Sequence, residues 1–337
     1  MDVQTPELSF VIPVYNGAQT VPEVVRRILD VFARHSIEIV LVNDGSQDDT
    51  EMVCRSLVEA NPDKIVFVHL AKNFGEHNAV LAGLAHTRGQ CVAVLDDDGQ
   101  NPPEEVLPMW KMLKDDNRDV VYGRYALKQH HWFRNLGSRL NDRMATWLLR
   151  KPKDLYLSSF KVMNRFLVGE ILKYDGPFPY IDGLIFRATR NIGQIDVQHL
   201  SRECGRSGYT FTRLLRLWLN MFLGFSITPL RTAVIAGLLT SMLSILVLVG
   251  ILVDKVWVNP GVPVGIPTVL VLITFFGGVQ LTVLGSVGEY VGRIFLSQNG
   301  MPQFVIRDVM RGPRRAIRIA GPAIHASTSA AGEYRYV

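Results

Sequence analysis

Between residues 8 and 96 the chain alternates short runs rich in β-branched residues with stretches whose apolar residues fall at helical spacing. The runs are LSFVIPV, IEIVLVN, KIVFVHL and CVAVLD. The stretches between them are VPEVVRRILDVFARH, DTEMVCRSLVEAN and GEHNAVLAGLAHTRG. Strands that are apolar throughout and separated by helices need cover on both faces, which makes a parallel sheet. The pattern therefore predicts an α/β fold. It continues with a helix in EEVLPMWKMLKDD and a strand in DVVYG. In such sheets ligands sit beyond the carboxyl ends of the strands. Residues 13–16, 43–46, 72–75 and 96–100 are thereby predicted to face one crevice.

The fourth run ends in CVAVLDDDGQNPPEE, with three adjacent aspartates followed by Gly, Gln, Asn and two prolines. Adjacent carboxylates repel, so a cluster at a strand end calls for compensating charge. Alternate side chains of an extended backbone share a side, so Asp96 and Asp98 project one way and Asp97 the other. With Gln100 they offer three oxygen donors at alternate positions. Hard oxygen ligands select Mg²⁺ or Mn²⁺ over zinc. A cation with so few protein ligands completes its shell with water and substrate phosphate. The crevice thus reads as a site for a metal-bound diphosphate. Helix capping ahead of NPPEEV competes with this, because Asp and Asn favour N-caps and proline the first turn. A phosphatase of the haloacid dehalogenase type, with the first Asp of Asp-x-Asp as nucleophile, is a further alternative. Its motif usually follows the first strand, and here it follows the fourth.

The chain is 48% apolar, and the excess collects after about residue 230. Residues 232–253 (TAVIAGLLTSMLSILVLVGILV) and 266–288 (IPTVLVLITFFGGVQLTVLGSVG) carry no charge. About 20 such residues cross a hydrocarbon core of ~30 Å, so two transmembrane helices are predicted. Arg213, Arg216 and Arg231 precede the first run; Arg293, Arg307, Arg311, Arg314, Arg315 and Arg318 follow the second. The positive-inside bias puts both flanks, and the large N-terminal domain, in the cytoplasm. Arg311, Arg314, Arg315 and Arg318 would add attraction to anionic lipid, on the order of 1 kcal/mol each near the surface. The stretch YTFTRLLRLWLNMFLGF suits an amphipathic helix in the membrane interface, with an ordinary buried helix as the alternative. The predicted plan is an α/β domain over 1–208, the interfacial helix over 209–230, the two membrane helices within 231–290, and a basic segment with a disordered tail over 291–337.

Other features exclude rather than assign. A net charge of +5 is too small for this length to argue for nucleic acid. Cys54, Cys91 and Cys204 are odd in number and far apart, so no disulfide framework or metal spacing follows and a reducing compartment fits. MDVQTPELSFVIPVYN lacks a basic n-region and a long apolar run, and no cleaved signal peptide is expected.

Four stretches, FVIPVYNGAQTVPEVV, EIVLVNDGSQDDT, LAKNFGEHNAVLAGL and VLDDDGQNPPEEV, together resemble the inverting glycosyltransferases of family 2, which have the GT-A fold. SRECGRSGYTFTRLLRL, the two apolar runs and LGSVGEYVGRIF narrow the resemblance to the polyisoprenyl-phosphate glycosyltransferases. The resemblance covers about residues 8–310. It implies a Rossmann-like, mostly parallel sheet with helices on both faces. It further implies an enzyme that moves one sugar from a nucleotide-sugar, UDP ahead of GDP, to a polyisoprenyl phosphate such as undecaprenyl phosphate. The family also implies a homo-oligomer, a tetramer, in the bacterial inner membrane.

By position, the resemblance puts Pro13, Tyr15 and Asn16 beside the nucleoside, Asp44 on the base or ribose, and Asn73 next to that pocket. Asp96, Asp98 and Gln100 match the Asp-x-Asp-x-Gln pattern that holds metal and donor diphosphate, with Asp97 on the donor side. Arg124, Arg134 and Ser138 match the acceptor-phosphate residues; Arg202 and Ser207 match a segment that closes over the donor. The family's Asp before Ser-Gly-Phe-Arg falls at Asp154, offset in KDLYLSSFKVMNR, and completes a catalytic set of Asp96, Asp98, Arg124, Arg134 and Asp154. Gly208 stands where many relatives have Lys. The QxxRW signature of processive synthases is absent, which favours single transfer.

The chemistry suits these residues. An isoprenoid monophosphate is already an anionic nucleophile, and arginine binds phosphate oxygens bidentately while staying charged. A cation would stabilise the departing nucleoside diphosphate, and direct displacement would invert the anomeric centre. Two other classes are open, a flippase for the same lipid and an inactive membrane scaffold. Uncharged spans do not line a polar path, and a scaffold has no reason to gather carboxylates.

Overall fold

The computed structural model describes residues 5–125, 155–176, 179–198, 265–298 and 302–312, with isolated positions between 235 and 257. Strands and helices alternate from the start: β1 (Leu8–Val14), α1 (Val21–Val31), β2 (Ile37–Asn43), α2 (Thr50–Ala60), β3 (Ile65–Leu70), α3 (Glu76–His86), β4 (Cys91–Val94), α4 (Val106–Asp115) and β5 (Val120–Tyr125). Then come β6 (Lys161–Asn164), α5 (Arg165–Leu172), α6 (Ile181–Ala188), β7 (Ile192–Val197), α7 (Ile266–Gln298) and β8 (Ile306–Arg311).

The described strands form one sheet in the order β7-β5-β6-β4-β1-β2-β3-β8. Its centre is the parallel core expected from sequence, β1 pairing with β2 and β4, and β2 with β3. Two reversed strands join the mostly parallel sheet expected. β6 enters between β4 and β5 antiparallel to both, and β8 lies antiparallel on the outer edge of β3. The sheet is mixed. Neither reversed strand has the long apolar run by which buried parallel strands are read. KVMN is short and opens on a lysine, and IRDVMR carries Arg307, Asp308 and Arg311, as edge strands do.

Successive side chains point to opposite faces. Val11, Val40, Val42, Val66 and Val68 pack with α3, α5 and α6. Phe10, Ile12, Ile39, Leu41 and Phe67 pack with α1, α2 and α4. These residues are buried, and emptying a large aromatic position such as Phe67 to Ala costs about 3–5 kcal/mol. The helix α3 lies tightly on the sheet, since a Cβ at Gly83 would stand 2.4 Å from Val11 Cγ1.

Two features bear on the C-terminal half. α7 is 33 residues long, about 50 Å at the usual helical rise, and exposes Ile273, Leu281 and Leu284. Some α7 side chains lie outside the described residues; on those described, no helix is long and apolar enough to cross a membrane. The two expected spans therefore rest on the sequence. Ile235, Leu239, Met242, Leu246 and Val249, isolated described positions of the first run, are helical and exposed. Residues 209–230 lie outside the described residues. Arg311 departs from the lipid-facing role expected of it: it sits in β8, its Nη2 donates to His86 O at 3.3 Å, and burial pushes its pKa down. Arg314, Arg315 and Arg318 lie outside the described residues.

Candidate active site

The four segments expected to share a crevice are bonded to one another at one edge of the sheet. Tyr15 N–H donates to Asp97 Oδ2 at 3.3 Å, joining the end of β1 to that of β4. Asn16 is left-handed, with φ 54°. Its N–H donates to Ser46 Oγ at 2.9 Å, and its Oδ1 accepts from Gln47 N–H at 2.9 Å. Asp44 then reaches the loop after β3: Oδ1 accepts from Phe74 N–H at 2.7 Å and Oδ2 from Gly75 N–H at 2.9 Å. Gly45 makes this approach feasible. Its φ is +64°, and a Cβ there would stand 2.4 Å from the carbonyl carbon of Lys72.

These contacts refine the expected donor residues. Pro13 is half-buried, and Tyr15 is exposed at the end of β1. Asp44 is 4% exposed with both oxygens held by backbone, so in this structure it shapes the loop. Burial raises its pKa, and the two N–H donors partly offset that. Asn73 is exposed on that same loop.

The aspartates do not keep strand alternation, because β4 ends at Val94 and Gly99 turns the chain with φ +72°. Asp96 points inward: its Oδ2 accepts from Ser159 Oγ at 2.6 Å and from Asn101 Nδ2 at 2.9 Å. Tyr125 OH donates to Asn101 Oδ1 at 2.7 Å. Asp97 faces Tyr15 and lies so close to Gly17 that a Cβ there would be 2.3 Å from Asp97 Oδ2. Asp98 Oδ1 accepts from Gln100 N–H at 3.1 Å, turning back on its own loop. Asp96 is pushed up by burial, with Ser159 opposing and Asp98 adding. Asp97 is pushed up to about 7, by burial first and then by its two neighbours.

A further carboxylate joins them. Glu76 opens α3 and is exposed at its surface, close to the aspartate loop. Desolvation, then the Asp96 charge, push it up to about 7. Beneath lies a buried ion pair, Lys161 Nζ on β6 with Asp182 Oδ1 on α6, and Tyr122 OH donates to the same oxygen at 2.8 Å. Lys161 is 4% exposed and Asp182 8%. His77 meets Tyr180 edge-on at 5.0 Å and is pushed down to about 4 by burial.

Among the described residues, no three His, Cys, Asp or Glu side chains are grouped to hold a metal by themselves. The donor set still suits a cation shared with substrate, because its oxygens are hard and three carboxylates adjoin in one short loop. Arg124 stands exposed at the end of β5, forked onto Asp196 of β7, with Nη2 to Oδ2 at 2.8 Å. Arg134, Ser138, Asp154, Arg202 and Ser207 lie outside the described residues. Ser159, Asn101, Tyr125, Lys161, Asp182 and Glu76 were not singled out from sequence. Ser159 and Asn101 had a signal, since both lie in stretches already set apart, LYLSSFK and DDDGQN.

Residues 9–171 match the model of glycosyl transferase family 2. The chain is 32% identical over 307 residues to the undecaprenyl-phosphate 4-deoxy-4-formamido-L-arabinose transferase of Enterobacter sp. (strain 638), covering 90% of this chain and 94% of that one. It is 31% identical over 317 residues to the enzyme of the same name from Klebsiella pneumoniae subsp. pneumoniae, covering 92% and 95%. Among solved structures, Mycobacterium tuberculosis glucosyl-3-phosphoglycerate synthase superposes with a TM-score of 0.48 at 19% identity, over 65% of this chain and 80% of that one. The chain belongs to glycosyltransferase family 2 and is a glycosyltransferase. Within it, the kinship over nine-tenths of its length is with the polyisoprenyl-phosphate glycosyltransferases.

Proposed function

We propose that the chain transfers a single sugar from a nucleotide-sugar, UDP-linked, to undecaprenyl phosphate with inversion. The product is a lipid-phosphate-linked monosaccharide for use in cell-envelope glycan or lipid A modification. The observation that carries this is the gathering of Asp96, Asp97 and Asp98 at the open end of the sheet, in a chain whose relatives are named for an undecaprenyl-phosphate acceptor.

Pro13, Tyr15, Asn16, Asn73 and Asp97 line the donor side, Asp44 fixes its loop, and Arg202 and Ser207 close over it. Asp96, Asp98 and Gln100 are the residues that would hold a Mg²⁺ or Mn²⁺ on the donor side. When bound, the cation supplies Lewis-acid stabilisation of the leaving diphosphate. Arg124, Arg134 and Ser138 hold the acceptor phosphate, whose oxygen attacks the anomeric carbon; Asp154 belongs to this set by position. Alignment supplies much of the rate, because the nucleophile needs little help from a base. Residues 232–253 and 266–288 span the inner membrane as helices, 209–230 lies in the interface, and the α/β domain faces the cytoplasm, in a homo-oligomer. The exposed apolar side chains of both runs favour this placement.

The test is release of nucleoside diphosphate from a panel of nucleotide-sugars by the full chain in vesicles. Release that requires undecaprenyl phosphate supports the proposal. Equal release with and without the lipid, or transfer to a soluble glycan, overturns it.

A further inference from the structure

Asp96 is held through one of its two oxygens. Ser159 Oγ donates to Oδ2 at 2.6 Å, and Asn101 Nδ2 donates to the same atom at 2.9 Å. Among the described residues no bond falls on Oδ1. Both donors are themselves set by the end of β5. Ser158 Oγ donates to Gly123 O at 2.8 Å, and Gly123 N–H donates to Phe160 O at 3.0 Å. The backbone on either side of Ser159 is thereby fixed to Gly123. The two segments are in close contact, since a Cβ at Gly123 would stand 2.9 Å from Phe160 Cδ1. Tyr125 OH donates to Asn101 Oδ1 at 2.7 Å. An amide accepts through oxygen and donates through nitrogen, so this bond turns the NH₂ group of Asn101 toward Asp96. Asn101 is 1% exposed and Ser158 8%, so bulk water does not compete for these bonds. Between Gly123 and Tyr125 stands Arg124, with its guanidinium in the open.

We propose that Ser159 and Asn101 are positioning residues for Asp96, and that the end of β5 is the frame from which Asp96 and Arg124 are both set. Two bonds on Oδ2 fix the rotation of the carboxylate and leave Oδ1 to serve the donor side. Partners behind a ligating carboxylate orient it and tune what it binds. The aspartates lie on a loop, and a group on a strand is held more precisely than one on a loop. The bonds from Ser159 and Asn101 carry the order of β5 to that loop, while Arg124 has it directly. The inference rests on the cation and acceptor roles proposed above.

The test titrates Mn²⁺ with UDP onto the full chain in phospholipid vesicles, without acceptor, and reads free Mn²⁺ by electron paramagnetic resonance. Ser159→Ala and Asn101→Ala should each weaken Mn²⁺ binding in the presence of UDP roughly ten- to hundredfold. Ser159→Thr keeps the hydroxyl and should stay within about threefold of wild type. Tyr125→Phe should fall between, because Asn101 remains but its amide is no longer fixed. UDP affinity in chelator should stay within about twofold of wild type in every variant, which a general disturbance of the fold would not allow. Unchanged Mn²⁺ binding in both alanine variants would overturn the positioning role. So would a loss that Ser159→Thr shares in full, or one that UDP affinity in chelator shares. At saturating Mn²⁺ the alanine variants should lose about tenfold or more in kcat, with KM for undecaprenyl phosphate within about twofold, because misplacement costs alignment rather than binding. A loss confined to that KM would overturn the shared frame. Wild-type protein that binds UDP equally with and without Mn²⁺ would sink the cation reading and the inference together. Mn²⁺-dependent binding that survives both alanine variants would sink the inference alone.

Discussion

Arg124 and Asp196 are register partners on the parallel strands β5 and β7, and their side chains close a two-point ion pair in the open. The guanidinium fork is thus already shaped for a bidentate oxyanion, with a carboxylate in the place a phosphate would take.

If the acceptor phosphate displaces Asp196, Arg124→Ala should lower kcat/KM for the lipid by about tenfold or more. Arg124→Lys should recover only part, since a point charge replaces a fork. Asp196→Asn should leave acceptor KM unchanged or lower it. Steady-state kinetics check this, and an Asp196→Asn enzyme as impaired as Arg124→Ala would make the pair structural.

The metal role predicts that Asp98→Asn lowers turnover by well over tenfold while the fold stays intact, because Asp98 lies in the turn that follows β4 and not within a strand or helix. Chelator should abolish wild-type turnover, and Mn²⁺ or Mg²⁺ should restore it. Full turnover in chelator would remove the cation from the reaction.

Glu76 and Asp97 are both pushed up to about 7 in the fold, from ordinary values of 4.5 and 3.8. A raised carboxyl pKa means the native state binds the proton more tightly than the unfolded chain. The resulting stability is full below the unfolded values and is lost as pH rises through about 7. Protein without ligands should therefore gain Tm from these groups between pH 8 and pH 5. Glu76→Gln needs no proton, so it should raise Tm at pH 8 and much less at pH 5. A gain of equal size at both pH values would contradict the shift.

The central strands were legible because each run is apolar and bounded by turn residues, and burial on both faces leaves no other use for such a run. The crevice followed from the same logic, and Asn16, Asp44 and Asp97 do tie its segments together. What local pattern could not carry was pairing across the chain. Lys161 breaks the apolar look of β6, yet Asp182, 21 residues on, neutralises it. Asp96 takes a bond from Ser159, 63 residues away, a partner that no local pattern could assign to it. β8 reads as a charged flank until β3 is there to receive it.

The Lys161–Asp182 pair should be costly to break from one side. Lys161→Met strands a buried carboxylate near Asp96 and Glu76, and removing one partner of a buried pair costs about 3–5 kcal/mol. The double variant Lys161→Met/Asp182→Asn should lose much less than the sum of the single changes. Denaturant unfolding of the four proteins measures this, and strict additivity would show that the two residues do not interact.

The most direct measurement is the mass and anomeric configuration of the lipid product. Full-length protein in vesicles with undecaprenyl phosphate, Mg²⁺ and an α-linked UDP-sugar should yield undecaprenyl phosphate carrying one sugar in β linkage, with UDP released in equal amount. A product with retained configuration, more than one sugar per lipid, or a sugar on an acceptor other than the lipid phosphate would contradict single inverting transfer to a polyisoprenyl phosphate.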